Sequence, residues 1–591
     1  MSKVNDYLLR LRTASPGEVL YRLRQKLLIW HLRHGDADRK IRPLASTLAD
    51  AKQTALNLPE FVVNVSDAKI ESILNGKRWT LNTPFDEIGL FEKFHYGRFF
   101  ADICTREDAP DIRAVWEAAR LQHVTFLVTL LNSAYGNSNK ERTASFIRHE
   151  ILEWIRRNPF LKGPHYLSAM ECGLRVPVFV NALNNLPHLT EPEKDEIVTA
   201  IYQHAWWTYR RLSLYASLGN HTVCECVGLV FAGGLYRKSK EGQKWIKKGI
   251  TLLDQELAHQ VLSDGGPVEQ SFSYHRFVLD LFGLVYDFIK LNQLSDVDRW
   301  KEKLKKGERF LKIFQQDNCG LPNIGDSDDG YAVVPDLIPH KSTEAAASIG
   351  AHLFKDSGYS VFRSDDTFFT FDHGPLGMGP LYNHGHADAL AVTLAYKHRP
   401  ILIDPGTFRY NGVPEWRHYF KSTRAHNTVT VDGQDQAIQA NGFIWRKPYR
   451  CSVVNSEGDK SRMHTVAEHD GYQRLKHPVI HRRTVQITGG ELLLEDRFKG
   501  EGSHSFELNF HFHPDVEFEK SEDGWIVANE KARCAIRLSN GHNLSPIVGA
   551  KEPILGWYSQ AYGQKQPTTT LTCTQNSTPD QVIFKTIITF L

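Results

Sequence analysis

The hydrophobic pattern of the chain changes its period near residue 345, and this change limits the fold more than any other feature of the sequence. Before that point, apolar residues recur at helical spacing, as in Ile147, Ile151 and Ile155. A second apolar stripe of the same kind runs through residues 246–261. Successive helices without strong strands predict a helical bundle, a solenoid or a toroid.

After residue 345 the pattern alternates with period two. Phe506, Leu508, Phe510 and Phe512 are separated by polar residues, which indicates a strand with one buried face. Further strands are expected at 367–372, 389–396, 427–432 and 484–487. Many such strands in sequence predict an antiparallel β-sandwich. The stretch 321–345, rich in Gly, Pro and Asp, is the predicted boundary between the two halves.

Charge and hydropathy exclude several classes of function. The 591 residues carry a formal charge of +3 without a long basic run, so we expect no nucleic-acid partner. An acidic polysaccharide is compatible with this balance, because a cleft can be basic in a nearly neutral protein. No apolar run approaches the roughly 20 residues that span a bilayer, so we expect no membrane insertion.

The beginning of the sequence alternates apolar and basic residues without a continuous apolar core. It does not have the pattern of a secretory signal. We therefore expect a cytoplasmic protein, or a periplasmic or secreted one if a leader precedes this sequence. The eight Cys are scattered and predict no disulfide framework.

The densest group of chemically active residues is the segment 381–390. On an extended backbone His384 and His386 project to the same side, so that one could bind a metal while the other acts as a base. Asp404 and His426 follow at the ends of predicted strands. Two His and one Asp make a zinc set. The alternative is that these residues satisfy one another in a buried corner of the sheet.

Two further groups lie in the helical half. The segment 264–275 follows a helix end and contains Glu269, Tyr274 and His275, on a loop of the kind that carries catalytic residues. The segment 218–222 contains Asn220 and His221, which could face a carboxylate or cap the next helix.

Taken in order, these groups resemble the heparinase II/III-like family of bacterial polysaccharide lyases over about residues 100–590. The motifs that carry the resemblance are Asn-His-Thr at 220–222, Gly-Gly…Glu…Tyr-His at 265–275, Gly-Asp-Ser-Asp-Asp-Gly at 325–330, Asn-His-Gly-His-Ala-Asp at 383–388, Asp404-Pro-Gly and Ala-His-Asn-Thr at 425–428. Each motif alone is modest, but six in one order are specific.

The resemblance implies an α+β multidomain protein, with an incomplete (α/α) toroid followed by an antiparallel β-sandwich. On this basis we expect a helical extension over residues 1–90, the catalytic toroid over 91–345 and the sandwich over 346–591. It also implies cleavage of a uronate glycan such as heparan sulfate, chondroitin, hyaluronan, alginate or a bacterial exopolysaccharide. Where the family holds zinc, the matching positions are His386, Asp404 and His426, and we expect a structural role for the metal.

The resemblance also suggests how the residues would divide the reaction. A lyase removes the C5 proton of a uronate, neutralises its carboxylate and protonates the leaving oxygen at C4. Asn220, with His221, would hold the carboxylate, and Tyr274 would be the acid, or also the base for a substrate of the other C5 configuration. His384 would be the base on the opposite face, so that these two rings flank one sugar. His275 would supply a cation near the phenol or orient its ring.

Candidate substrate contacts and two rival functions complete the expectations. Arg175, Arg409 and Arg424 could pair with carboxylates or sulfates, together with Glu269, although ordinary ion pairs are the alternative for each Arg. One rival is an inverting glycoside hydrolase, for which Glu171 and Glu269 would be the two carboxylates. The other is a non-catalytic protein that binds or assembles glycans.

Overall fold

The first half of the protein is built from helices. The structure, a computed structural model, describes residues 15–35, 37, 41–63, 67–75, 79–80, 83–84, 97–104, 111–131, 136–215, 218–316, 320–328, 330–334, 337–338, 348–539 and 542–591. In these residues the helices of the first half are α1 Pro16–Arg33, α2 Ala45–Lys52, α3 Asp67–Leu74, α4 Ile112–Ala119, α5 Gln122–Leu131, α6 Gly136–Arg157, α7 Ala169–Asn185, α8 Glu191–Arg210, α9 Asn220–Leu235, α10 Lys240–Gln260, α11 Phe272–Leu291 and α12 Lys301–Phe314.

Helix α9 lies at the centre of the helical half. It packs against α7, α8, α10 and α11, and every one of its residues except His221 is buried. Its sequence is apolar on all sides, which is typical of a helix surrounded by others. The helix expected over 246–261 is confirmed within α10. The apolar stretch 113–133 forms α4 and α5 rather than one helix, because Leu121 between them has a positive φ of 58°.

The second half is made of antiparallel strands. They are β1 Gly350–Phe354, β2 Tyr359–Arg363, β3 Thr367–Asp372, β4 Val392–Tyr396, β5 Arg399–Leu402, β6 Val429–Val431, β7 Cys451–Gly458, β8 Arg462–His469, β9 Val479–Thr488, β10 Glu491–Gly500, β11 His504–His511, β12 Glu517–Lys520, β13 Trp525–Asn529, β14 Ala532–Leu538, β15 Ser545–Val548, β16 Thr569–Ser577 and β17 Ile583–Phe590. One short helix, α13 Pro414–Lys421, lies between β5 and β6.

These strands form three sheets around a shared core. β1 to β5 follow one another in a five-stranded sheet, and the eight-stranded sheet has the order β7-β8-β9-β10-β17-β14-β13-β12. A four-stranded sheet has the order β6-β11-β16-β15. Phe371, Phe506 and Ile588, one from each sheet, belong to the same buried cluster. Two-residue strands pair locally at Val62–Val63 with Leu337–Ile338, Trp79–Thr80 with Thr83–Pro84, Ile438–Gln439 with Trp445–Arg446, Ala550–Lys551 with Ile554–Leu555, and Trp557–Tyr558 with Gln566–Pro567.

The predicted strands are found, with one difference in burial. The strand expected over 367–372 is β3, and the one expected around Phe506 is β11. The strand expected over 389–396 begins only at Val392. In β11 the polar face is partly buried as well, because Asn509 and His511 both hydrogen-bond to the backbone carbonyl of Arg424.

The two halves meet through an aromatic cluster. Phe272 of α11 and Phe310 and Phe314 of α12 pack against Phe354 of β1 and Tyr359 of β2. Such large rings bury much apolar surface, so this contact fixes α11 against the first sheet. The predicted domain limits near residues 90 and 345 lie outside the described residues and stay predictions. Among the helices described, none has the length and apolar character needed to cross a bilayer.

Candidate active site

The side chain of Asp326 joins the helical half to the sheet half at the base of the candidate site. It is fully buried and accepts hydrogen bonds from both terminal nitrogens of Arg417, from His384 Nδ1 and from His386 Nε2, the last two at 3.1 Å. Burial opposes its ionisation, but Arg417 and the two imidazoles hold the pKa of Asp326 well below its usual range. A carboxylate only accepts hydrogen bonds, so both histidines donate to it.

This arrangement selects one tautomer of His384. With its proton on Nδ1, facing Asp326, the neutral ring has its lone pair on Nε2. Nε2 lies 3.3 Å from Asn220 Nδ2 and 3.7 Å from Glu269 Oε2. His384 therefore presents a free base toward the side chains that begin α9, as expected of a general base held by a second carboxylate.

The residue between the two histidines is a glycine because backbone from another loop passes against it. A Cβ at Gly385 would lie 1.5 Å from the backbone oxygen of Leu376. Any side chain at this position would push that loop away and move both imidazoles. The tight turn is thus part of what aims His384 and His386 at Asp326.

Asn220 is positioned by Glu269 at the first turn of α9. Its backbone N–H donates to Glu269 Oε1 and its Nδ2 donates to Oε2, both at 2.8 Å. Gly219 before it has a φ of 123°, and a Cβ there would lie 2.5 Å from Glu269 Oε1. Each oxygen of Glu269 accepts one hydrogen bond from Asn220, and its predicted contact with substrate stays a prediction. Glu269 therefore lies where it can orient the side-chain amide of Asn220.

Tyr274 lies directly on His384. The two ring centroids are 3.9 Å apart with an interplanar angle of 26°, so the rings stack. The hydroxyl donates to Asp328 Oδ2 at 2.8 Å and lies 3.1 Å from the hydroxyl of Tyr410. The expectation that the two rings flank a sugar from opposite faces is therefore wrong for this structure, because contact at this distance leaves no room between them. They form a single wall of stacked rings.

The phenol of Tyr274 is in an environment that keeps its proton in place. Burial and the nearby carboxylate of Asp328 raise its pKa well above the usual value. Arg113 acts in the opposite direction but is itself engaged by Asp328, which accepts from Arg113 Nε at 3.1 Å. Tyr274 is thus protonated near neutral pH and suits the role of an acid rather than a base.

A cavity of about 270 Å³ opens beside these residues. Its lining includes Asn220, His221, Glu269 and His384. A larger cleft of about 620 Å³ lies elsewhere between the halves and is lined by Asp404, but by none of Asn220, Tyr274 and His384. We take the smaller cavity as the candidate active site, because Asn220 and His384 line it. Tyr274 does not line this cavity, but its ring stacks on that of His384.

The two other predicted histidines differ in position. His221 lines the cavity, and burial together with His384 lowers its pKa to about 4, so it is neutral and can only donate or accept a hydrogen bond. His275 is buried, shares a hydrogen bond of 2.8 Å with the carbonyl of Gly265 and packs against Phe310. Burial lowers its pKa to about 4. It is therefore no cation for Tyr274, and the alternative that it orients the phenol ring stays a prediction.

Of the three predicted arginines, one is available to a ligand. Arg175 is fully buried and donates to His204 and to the carbonyl of His165, so it belongs to the helical core and its predicted role is wrong. Arg424 donates hydrogen bonds to both carboxylate oxygens of Glu507, and its Nε lies 2.7 Å from Oε1. Arg409 has no ion pair among the described residues and is partly exposed.

Several residues of the site were not predicted individually. They are Arg113, Asp326, Asp328, Tyr410 and Arg417, and all are buried. The two Asp lie in the Gly-Asp-Ser-Asp-Asp-Gly motif, which marked the segment but gave no role to any member. Nothing in the sequence distinguishes Tyr410 or Arg417, because each acts through a contact with a distant part of the chain.

The carboxylates proposed for the hydrolase alternative are not placed for that chemistry. Glu171 is buried and accepts two hydrogen bonds from Arg120, at 2.8 and 2.9 Å. Although burial opposes ionisation, Arg120 holds the pKa of Glu171 below its usual value. Glu269 is bound to Asn220. An inverting hydrolase needs one protonated and one free carboxylate facing the same bond, and this pair supplies neither.

His386, Asp404 and His426 form a group that could hold a metal ion. Their potential ligand atoms all lie within 4.8 Å of one another, and all three residues are buried. His386 Nδ1 and His426 Nε2 are buried without a hydrogen-bond partner. Two such nitrogens beside a carboxylate fit zinc, whose ligands are neutral imidazoles and carboxylates. Asp326, bonded to the other nitrogen of His386, fits the carboxylate that commonly supports a zinc-bound imidazole.

Comparison with known proteins agrees with this architecture. Residues 92–338 match the family model Heparinase II/III N-terminus, and residues 347–586 match Heparinase II/III-like, C-terminal. The chain is 22% identical to a heparin-sulfate lyase of Bacteroides stercoris, over 90% of this chain and 82% of that protein. It is 24% identical to a heparin-sulfate lyase of Pedobacter heparinus, over 69% of this chain and 63% of that protein.

The fold is also found among solved structures. A crystal structure of heparinase III superposes with a TM-score of 0.70 at 18% identity, covering 92% of this chain and 88% of the other. The heparan sulfate lyase HepC mutant from Pedobacter heparinus gives a TM-score of 0.59 at 18% identity, over 92% of this chain and 87% of that one. These likenesses confirm the predicted fold, an incomplete (α/α) toroid followed by an antiparallel β-sandwich.

The burial of Asp326 predicts an asymmetry between two arginine–carboxylate pairs. Replacing Arg417 by Met should lower the free energy of unfolding by about 3–5 kcal/mol, because it leaves the buried charge of Asp326 without its main partner. Replacing Arg424 by Met should cost at most about 1 kcal/mol, because its pair with Glu507 is partly exposed. Urea unfolding of both variants measures the difference, and equal losses would contradict the account.

Proposed function

We propose that this chain, which belongs to the heparinase II/III-like family and is a polysaccharide lyase, cleaves a uronate-containing acidic glycan by β-elimination in the cavity lined by Asn220 and His384. The observation that carries the proposal is the contact of His384 with Asp326 on one side and Tyr274 on the other. The relatives named heparin-sulfate lyases favour a glycosaminoglycan as substrate. A bacterial exopolysaccharide with the same uronate chemistry is the second candidate.

In the proposed reaction His384 removes the proton at C5. Its Nε2 is the nitrogen without a proton, because Asp326 holds the proton on Nδ1. The imidazolium that forms stays stabilised by the same carboxylate, which remains ionised. Asp326 therefore has the role of orienting the base and balancing its charge.

Asn220 would receive the carboxylate of the substrate. One hydrogen of its Nδ2 is used by Glu269, and the other makes the long contact of 3.3 Å with His384 Nε2. When a uronate binds, this second hydrogen turns to the carboxylate and leaves Nε2 free to act as base. A preorganised donor of this kind typically contributes on the order of 10²–10³ in rate, because negative charge builds up on the carboxylate in the transition state.

Tyr274 would give its proton to the leaving oxygen at C4. Its raised pKa keeps the proton on the phenol until the C4–O bond breaks, when the oxygen becomes a much stronger base. The rings stack without a hydrogen bond between them, so the proton taken from C5 by His384 returns to the phenolate through water that enters when the product leaves. Each turnover thus returns both side chains to their starting state.

The shared wall of Tyr274 and His384 favours one uronate configuration. If both groups act from the same side, the C5–H and C4–O bonds must also face that side of the ring. D-glucuronate in its ordinary chair has these bonds adjacent, whereas its C5 epimer can place them on opposite faces. We therefore propose that glucuronate linkages are cleaved in preference to iduronate linkages.

Two neighbouring cations, Arg409 and Lys565, support an acidic substrate, and both lie over the ring of Phe408. Arg409 adjoins Tyr410, whose hydroxyl contacts Tyr274. Lys565 Nζ lies over the ring of Trp416 at 4.2 Å, and neither cation has an ion pair among the described residues. Free cations beside half-buried aromatic rings are the groups that bind sulfated or carboxylated sugars.

We also propose that His386, Asp404 and His426 bind zinc, and that the metal is structural. The bound metal would supply a fixed link between the loops that carry these ligands. His386 shares Asp326 with His384, so loss of the link would disturb the base. A non-catalytic role for the chain is disfavoured because Asn220, Tyr274 and His384 are all present and His384 contacts both of the others.

Replacing Tyr274 by Phe should lower turnover by about 10²- to 10⁴-fold, because the acid is lost while the ring remains. Ultraviolet absorbance of the unsaturated uronate, measured on a panel of glycosaminoglycans and exopolysaccharides, detects elimination. Reducing ends formed without this absorbance would indicate a hydrolase, and neither signal would indicate a binding protein.

The matched control for this variant is Tyr410→Phe. It removes a neighbouring hydroxyl that makes no hydrogen bond to Asp328, so its turnover should fall by less than about 10-fold. Full activity in the Tyr274→Phe protein would remove this residue from the mechanism. Equal losses in the two variants would show that the acid has been assigned to the wrong tyrosine.

Removal of zinc should lower both turnover and the thermal midpoint of unfolding, and added zinc should restore them. Elemental analysis of purified His426→Ala protein should find less than about a tenth of the wild-type zinc. His373→Ala, which alters a buried imidazole bonded to Ser360 outside the trio, should keep its metal. Unchanged turnover after verified metal removal would contradict the structural role.

A further inference from the structure

Helix α1 packs on the helical half with only one of its faces. Tyr21 and Gln25 donate hydrogen bonds to the carbonyls of Leu212 and Arg210. Leu32, the second-last residue of the helix, is buried in a cluster with Phe100 and Trp207 of the helical half. These contacts fix which side of α1 faces the protein and which side faces solvent.

The outer side of α1 carries a continuous apolar stripe. Leu20, Leu23, Leu27 and Trp30 are exposed by 58%, 53%, 66% and 63%. Their spacing of three, four and three residues places them along one line of the helix. Twelve large apolar side chains are exposed in the described part of the chain, and a third of them lie on this one helix. Such a concentration marks an interaction surface rather than scattered exposure.

Basic residues border the stripe on both sides. At 3.6 residues per turn, Arg24 and His31 lie along one edge of it and Lys26 along the other. No ion pair involves Arg24 or Lys26 among the described residues. The only acid in the helix, Glu18, is bonded to Arg22. With four Lys and Arg and one acid, α1 alone carries a charge of +3, as large as the net charge of the entire chain.

We propose that α1 binds the surface of an anionic membrane, lying in its plane with the apolar stripe in the lipid interface. Leucines with a Trp on one face and cations at its borders are the composition of interfacial helices. A second copy of the chain fits less well, because basic residues border the stripe on both edges and would face each other across any pairing of two α1 helices. Anionic headgroups instead neutralise both rows. This surface is independent of the proposed lyase chemistry.

Sedimentation with vesicles tests the proposal on the full chain. The protein should bind vesicles of phosphatidylglycerol mixed with phosphatidylcholine at least about 10-fold more strongly than vesicles of phosphatidylcholine alone. The double variant Leu23→Ser, Leu27→Ser should lose at least about 10-fold of this binding, as should Arg24→Glu with Lys26→Glu. Leu291→Ser, which alters a leucine that is 45% exposed outside α1, should bind like the wild type.

Folding and lyase activity serve as controls, because none of these substitutions touches the cavity. The thermal midpoint and the turnover of each variant should match the wild type. Equal binding to neutral and anionic vesicles, no binding to either, or unchanged binding of the serine variant would overturn the proposal. So would a dimer in light scattering that dissociates in the serine variant while no vesicle binding is found, which would assign the stripe to a second copy.

Discussion

Asp326 is a fully buried charge whose backbone belongs to the loop after α12, while its side-chain partners Arg417, His384 and His386 come from the sheet half. The loop itself is tied to the start of α11, because Ser271 Oγ donates to the carbonyl of Asp326. A buried carboxylate is tolerated only when it is paired and fully hydrogen-bonded. The two halves can therefore dock in only one relative orientation, the one in which these donors reach the carboxylate of Asp326.

This relative orientation of the two halves brings the residues of the candidate site together. Asn220 and Tyr274 stand at the first turns of α9 and α11, while His384 stands on a loop of the sheet half between β3 and β4. None of them could carry out the proposed elimination from its own half. The contact that makes the docking rigid also selects the tautomer of His384, so that stability and chemistry depend on one carboxylate. This dependence explains why the reactive groups are buried in a polar network rather than displayed on a flexible loop.

The sequence predicts the local structure and part of the site for physical reasons. The switch from helical to alternating spacing identifies both halves, since periodicity depends on near neighbours only. His386, Asp404 and His426 could be grouped because ligand-type side chains at strand ends tend to converge. The stacking of Tyr274 on His384 could not be predicted, because it depends on how two distant parts of the chain dock. Arg175 was misplaced because its partners, His165 and His204, lie in other segments of the chain, and its own segment does not show that the guanidinium is satisfied there.

The most direct test is the crystal structure of the Tyr274→Phe protein with an uncleaved uronate oligosaccharide. The account predicts that C5 of one uronate lies about 3–3.5 Å from His384 Nε2, the distance of a reactive contact. The carboxylate of the same sugar should accept a hydrogen bond from Asn220 Nδ2. An oligosaccharide bound instead in the cleft beside Asp404, with His384 Nε2 still bonded to Asn220, would contradict it.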